Sequence, residues 1–137
     1  MGRGPDRGLG DSMPRFVVLE HDHPVLHWDL MLETGDVLRT WKLTAPPEPG
    51  RVIAASYLFE HRRMYLDYEG PVSGDRGRVK RWDAGTYSWL EDADERVVFE
   101  VAGGRVRGIA QLIKKQANEW IFELLFSKSA DRPGPTP

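Results

Sequence analysis

Residues 26–43 read LHWDLMLETGDVLRTWKL, and the fold turns on them. Apolar and polar side chains alternate with a period of two over Leu26–Glu33, and Thr34-Gly35-Asp36 interrupts the pattern before Val37–Leu43 resumes it. That period belongs to a strand with one buried face, and a short Gly-containing break between two such runs marks a hairpin. The spacing puts Leu26, Trp28, Leu30 and Leu32 on the core face. His27, Asp29, Met31 and Glu33 go to the opposite face, toward solvent or a cleft.

The same period recurs outward from the hairpin. Arg15–Glu20, Arg78–Trp82, Thr86–Leu90, Arg96–Val101, Arg105–Lys114 and Trp120–Phe126 read as strands, with Gly103-Gly104 as a hairpin turn. Val52–Phe59 (VIAASYLF) fits a strand or a short helix, and Tyr65–Tyr68 reads as short and extended. Gly70–Gly77 (GPVSGDRG) is too rich in glycine for regular structure and reads as a loop. Eight or nine short strands separated by turns predict an all-β fold, mainly a small antiparallel β-barrel with room for one or two short helices. Five Trp and five Phe supply core volume, and Trp28, Trp41, Trp82 and Trp120 all fall in strand-like runs.

At 137 residues the chain has the length of one domain. The packed domain is expected over 15–127. The Gly/Pro-rich segment 1–14 and the Pro-rich segment 128–137 are expected to be disordered tails, because neither carries enough apolar surface to offset its ordering entropy. The absence of cysteine excludes disulfide scaffolds, thiolate nucleophiles and Cys-ligated zinc or iron–sulfur sites. No apolar run approaches the length of a membrane span, and the N-terminus has no apolar core of a secretory signal, so a cytoplasmic setting without a membrane is expected. Nineteen Lys+Arg against 21 Asp+Glu give a net charge of -2. A protein that grips long nucleic acid by its backbone is usually strongly basic, so any such contact is expected to be local, at an end or a break. Arg62, Arg63, Arg76, Arg78, Lys80 and Arg81 crowd one stretch, as a solvated sheet edge or as a phosphate-binding patch.

Three of the four histidines lie in EHDHPVLHWD, residues 20–29. His27 and Asp29, two apart on one strand, project from one face, and His21 sits close enough to fold back toward them. Two imidazoles and a carboxylate with open positions suit a catalytic divalent metal such as Mn, Fe or Zn. His23, before Pro24, reads as a turn residue. The residues alone leave open whether His27 and Asp29 hold a metal or belong to a polar strand face.

The stretch FVVLEHDHPVLHWDLMLETGDVLRTW, residues 16–41, resembles the opening of the 3′-phosphoesterase domain of bacterial DNA ligase D. The matching residues are His21-Asp22, Leu26-His27-Trp28-Asp29, Leu32-Glu33, Gly35 and Thr40-Trp41. A second block follows with His61, Tyr65-Leu66-Asp67-Tyr68-Glu69-Gly70, Trp82-Asp83 and Gly85. The resemblance implies a compact β-barrel that depends on a divalent metal, most often manganese. Such a barrel trims DNA 3′ ends, removing a terminal ribonucleoside and then the remaining 3′ phosphate to leave a hydroxyl for a polymerase or ligase. It implies His21, His27 and Asp29 as metal ligands and His61 and Tyr65 as catalytic contacts to the scissile phosphate. DNA 3′ ends, and a separate repair polymerase or ligase, are the implied partners.

Two basic residues of the family pattern are missing: Met31 stands where an arginine is usual, and Ala45 stands at the lysine of the Trp-Ala-Val-Pro-Lys run. Arg76, in a Gly-flanked loop, and Arg62, beside His61, are the first candidates to replace them. Two other readings fit part of the pattern. One is a DNA-end binding or docking module with little turnover. The other is a non-haem iron oxygenase whose facial triad would be His27, Asp29 and His61.

Overall fold

Alternation with a period of two builds almost the whole chain. In the computed structural model, which describes residues 13–127, the strands are β1 (Arg15–His21), β2 (His27–Thr34), β3 (Val37–Leu43), β4 (Val52–Tyr57), β5 (His61–Arg62), β6 (Gly70–Pro71), β7 (Arg78–Ala93), β8 (Arg96–Gly103), β9 (Arg107–Gln116) and β10 (Glu119–Ser127). The expected tails at 1–14 and 128–137 fall outside the described residues, except for Met13 and Pro14; the Pro14 carbonyl accepts the Tyr87 N–H at 3.0 Å. The sheet runs β1-β2-β3-β4-β10-β9-β8-β7, and β7 pairs back with β1, which closes an eight-stranded antiparallel barrel. Among the described residues no helix is long and apolar enough to cross a membrane.

Inward-facing side chains fill the barrel. Phe16, Leu30, Leu32, Trp41, Tyr87, Phe99, Leu112 and Phe122 are buried there, with Trp28 and Trp82 only partly covered at its edge. A second, smaller core lies on the outer face of β1–β3, where Val17, Leu19, Met31 and Leu38 pack against Leu66, Val72 and Val79. The covering layer is the segment that follows β4. It contains β5, a 3₁₀ turn (Arg63–Leu66), β6 and the loop up to Gly77. That layer changes the reading of the hairpin: His27, Asp29 and Met31 do face away from the barrel interior, but they are buried, with Asp29 only 3% exposed. Leu26 was expected on the core face; it lies just ahead of the strand and is 48% exposed.

One open reading is settled and two local expectations need correcting. The ambiguous Val52–Phe59 run is a strand as far as Tyr57, pairing with β3 and β10. Tyr65 and Leu66 are not extended; they belong to the 3₁₀ turn, which buries Leu66 in the outer core. The two strands read at Arg78–Trp82 and Thr86–Leu90 are one strand of 16 residues, which runs straight through Gly85. There the neighbouring strand passes so close that a Cβ would lie 2.0 Å from the Ala102 carbonyl oxygen, so the glycine marks a close approach and not a break.

One buried carboxylate fastens the β8–β9 connection. Asp83 accepts the backbone N–H groups of Gly104 (2.8 Å), Arg105 (3.0 Å) and Val106 (2.8 Å) as well as that of Ala84 (2.9 Å). Asp83→Ala strips these donors of their acceptor inside the protein. Urea denaturation is expected to show a loss of about 2–4 kcal/mol; a loss below about 1 kcal/mol would mean that the turn holds its shape without the carboxylate.

Candidate metal centre

Register brings the triad together. In the β1–β2 pair His21 stands opposite His27, and Asp29 stands opposite Leu19, two residues along the same face. The two imidazole rings lie 4.8 Å apart. Asp29 Oδ2 is 3.4 Å from His21 Nδ1, and Oδ1 is 3.2 Å from His27 Nε2. Ligand atoms of all three residues lie within 4.8 Å of one another, the one such group of His, Asp and Glu among the described residues.

The remaining ring nitrogens fix the chemistry. His27 Nδ1 lies 2.8 Å from the Val25 carbonyl and His21 Nε2 lies 2.8 Å from the Arg76 carbonyl. A carbonyl only accepts, so each of these nitrogens carries its proton, and in a neutral ring the other nitrogen then turns a lone pair toward the carboxylate. Three acceptors thus converge on one buried point. Asp29 Oδ1 makes no hydrogen bond there. Such an arrangement needs positive charge: an added proton on an imidazole, or a cation bound by all three groups. The donor set of two imidazoles and a carboxylate fits a divalent transition metal. The groups themselves register the conflict. The hydrogen bond to Asp29 raises the His21 pKa above its ordinary value against the pull of burial. Burial pushes the Asp29 carboxyl up, but the flanking histidines outweigh it and hold its pKa below the usual range.

A clamp holds the covering loop against this pair of strands. Asp22 Oδ1 accepts the Arg78 N–H at 2.8 Å, and Gly77, at φ +77°, packs so closely that a Cβ would lie 2.3 Å from that same oxygen. The clamp positions the Arg76 carbonyl that orients His21. Asp22 thus braces the backbone beside the Arg76 carbonyl that His21 contacts, a contact that the motif around His21-Asp22 did not reveal.

Beside the triad lies a cavity of about 350 Å³ lined by His21, Asp29, Met31, His61, Tyr65, Arg62 and Arg76, among others. Every residue expected at the site touches it except His27, whose ring contributes through the triad. His23 lines the cavity too but stays outside the convergent group, as its turn position predicts. His61 also lies outside that group, so the triad that converges includes His21 and not the His27–Asp29–His61 set of an oxygenase. The His61 Nδ1–H donates to the Phe59 carbonyl at 2.9 Å, leaving Nε2 as its available nitrogen.

The basic stretch divides among different surroundings. Arg62 and Arg76 line the cavity. Arg63 is paired with Glu33, and Arg78 and Lys80 line a separate groove with Glu20, Asp22 and Glu69. Arg76 is steadied by its own turn, with Nε donating to the Ser73 carbonyl at 2.7 Å. Met31 faces the cavity from the outer core and brings no charge to it.

Residues 19–114, which include every one of these site residues, match the family described as DNA Ligase D 3'-phosphoesterase domain. The chain belongs to that family. It is 30% identical over 130 residues to the multifunctional non-homologous end joining DNA repair protein LigD of Mycobacterium tuberculosis (strain H37Rv), covering 88% of this chain and 17% of the relative. The corresponding figures for the Pseudomonas aeruginosa protein named Multifunctional non-homologous end joining protein LigD are 29% over 123 residues, 82% and 14%. The chain therefore spans less than a fifth of the length of the curated relatives it matches.

An imidazole nitrogen must be unprotonated to ligate a cation, so the raised His21 pKa would set protons in competition with any cation held by the triad. In the ion-free protein, NMR titration is expected to place His21 above the ordinary histidine range, and Asp29→Asn to bring it down. The affinity of the triad for an added divalent cation should fall as the pH drops through the His21 pKa. An affinity that stays flat across that interval would remove His21 from the ligand set.

Proposed function

We propose that this member of the family is a metal-dependent DNA 3′-end phosphoesterase, with His21, His27 and Asp29 holding a divalent ion, manganese. The convergence of three acceptor atoms on one buried point beside a cavity with two arginines carries the reading. When bound, a dication neutralises charge that builds on the non-bridging phosphate oxygens. The chain's own residues do the rest. Arg62 and Arg76 supply planar, charge-assisted contacts that align the phosphate. A water attacks phosphorus as the bond to the departing oxygen breaks; His61 Nε2 hydrogen-bonds the phosphate and, when protonated, gives its proton to that departing oxygen. Tyr65, whose ring meets His61 edge-on at 6.1 Å, helps to hold that imidazole in place and offers its hydroxyl to the same phosphate.

DNA 3′ ends carrying a terminal ribonucleoside or a phosphate are the proposed substrates, in a cytoplasmic setting, and the hydroxyl product suits a separate repair polymerase or ligase. The local positive charge supports this over a grip on long duplex, since the whole chain is slightly acidic.

Incubation with manganese and a primer–template bearing either end is expected to release the ribonucleoside or the phosphate, and EDTA to abolish release. Tight binding of 3′-phosphate DNA without release in excess manganese would contradict an enzyme and favour a docking module. His61→Ala should lower kcat about 10²–10⁴-fold while changing manganese affinity little, whereas His27→Ala should lose the ion. Arg62→Ala and Arg76→Ala should each cost roughly tenfold or more in kcat/KM, as loss of a charge-assisted bond does. Unchanged turnover in both arginine variants would mean that neither replaces the missing family cation.

A further inference from the structure

Phe59 is 76% exposed, the most open large apolar side chain among the described residues. A single exposed apolar side chain needs no explanation of its own. The setting of this one does. Its ring lies nearly parallel to the His61 imidazole, with centroids 5.1 Å apart and planes 16° apart. Its carbonyl accepts the His61 Nδ1–H, and it lines the same cavity as Asp29, Arg62 and Arg76. Tyr65 meets His61 edge-on, so an aromatic row starts in the outer core at Tyr65, passes through His61 and ends at Phe59 with its far face open.

We propose that Phe59 is the stacking platform for the terminal nucleobase in ribonucleoside removal, the base attached beyond the scissile phosphate that departs with the 5′ oxygen when the P–O5′ bond breaks. The proposal rests on the phosphoesterase reading above, which places that phosphate against His61, Arg62 and Arg76. A terminal base lies one sugar away from the phosphate, and Phe59 lies one stacking distance from His61. An aromatic face accepts any base, because every base has a π-face, so the platform selects for the presence of a base and not for its identity. It therefore favours an end with a terminal ribonucleoside, which carries a base beyond the scissile bond, over a bare 3′ phosphate, which does not. Phe59 thus sets the preference between the two reactions at one site.

Equilibrium binding in EDTA compares two primer–templates that differ only in the last residue, a ribonucleoside or a base-free ribose. The wild type is expected to bind the base-bearing end about tenfold more tightly. Phe59→Ala should erase that preference and Phe59→Trp should keep it. With manganese, Phe59→Ala should raise KM for ribonucleoside removal about tenfold more than KM for 3′-phosphate removal. A disturbance of His61 alone would strike both reactions equally, and that result would overturn the proposal. So would a wild type with no base preference, or a preference that survives in Phe59→Ala. A Phe59-dependent base preference without any release by the wild type would support the platform and count against the phosphoesterase reading instead.

Discussion

The Asp29 carboxylate sits between two imidazoles that have already committed their N–H groups to backbone carbonyls. This is an electrostatic conflict built into a folded wall, since three lone-pair donors meet where water has little access. The rest of the site follows from it. The triad needs rigid strands on one side, and the β1–β2 register supplies them by setting His21 opposite His27. It needs cover on the other side, which comes from the segment after β4. It also needs a fixed carbonyl behind His21, which the Asp22–Arg78 clamp and the close approach at Gly77 keep in place.

The barrel is therefore more than a scaffold for an exposed patch. Its interior is filled by large aromatic and aliphatic side chains, and the triad lies on the outside of the wall beside a second small core. A site on strand faces is stiffer than one on loops, which suits metal ligands. The groups proposed to meet the phosphate come from the covering layer instead: His61 and Arg62 from β5, Tyr65 from the 3₁₀ turn and Arg76 from the loop. The proposed metal ligands thus stand on the wall and the proposed phosphate contacts on the cover, on two sides of one site. The missing family arginine fits this picture, because Met31 belongs to the packing between wall and cover.

What could be read from the sequence was whatever depends on short range. Strand alternation announced the hairpin and put His27 and Asp29 on one face, and the matching blocks around His21 and His61 implied that both serve one site. What could not be read depends on contacts between distant residues. The outer core was hidden because Met31 looks like a stray apolar residue on a polar face until Leu66, Val72 and Val79 arrive from elsewhere. Gly85 looks like a break because its close neighbour, Ala102, belongs to another strand. The arginines between 62 and 81 form one patch in sequence, yet carboxylates and turns at long separation send Arg63 and Arg78 away and leave Arg62 and Arg76 at the cavity.

Anomalous diffraction from crystals soaked in manganese tests the central claim most directly. The account predicts one strong peak within bonding distance of His21 Nδ1, His27 Nε2 and the Asp29 carboxylate, beside the cavity that holds Arg62 and Arg76. A manganese peak elsewhere, or none at the triad at a pH where His21 is neutral, would contradict it.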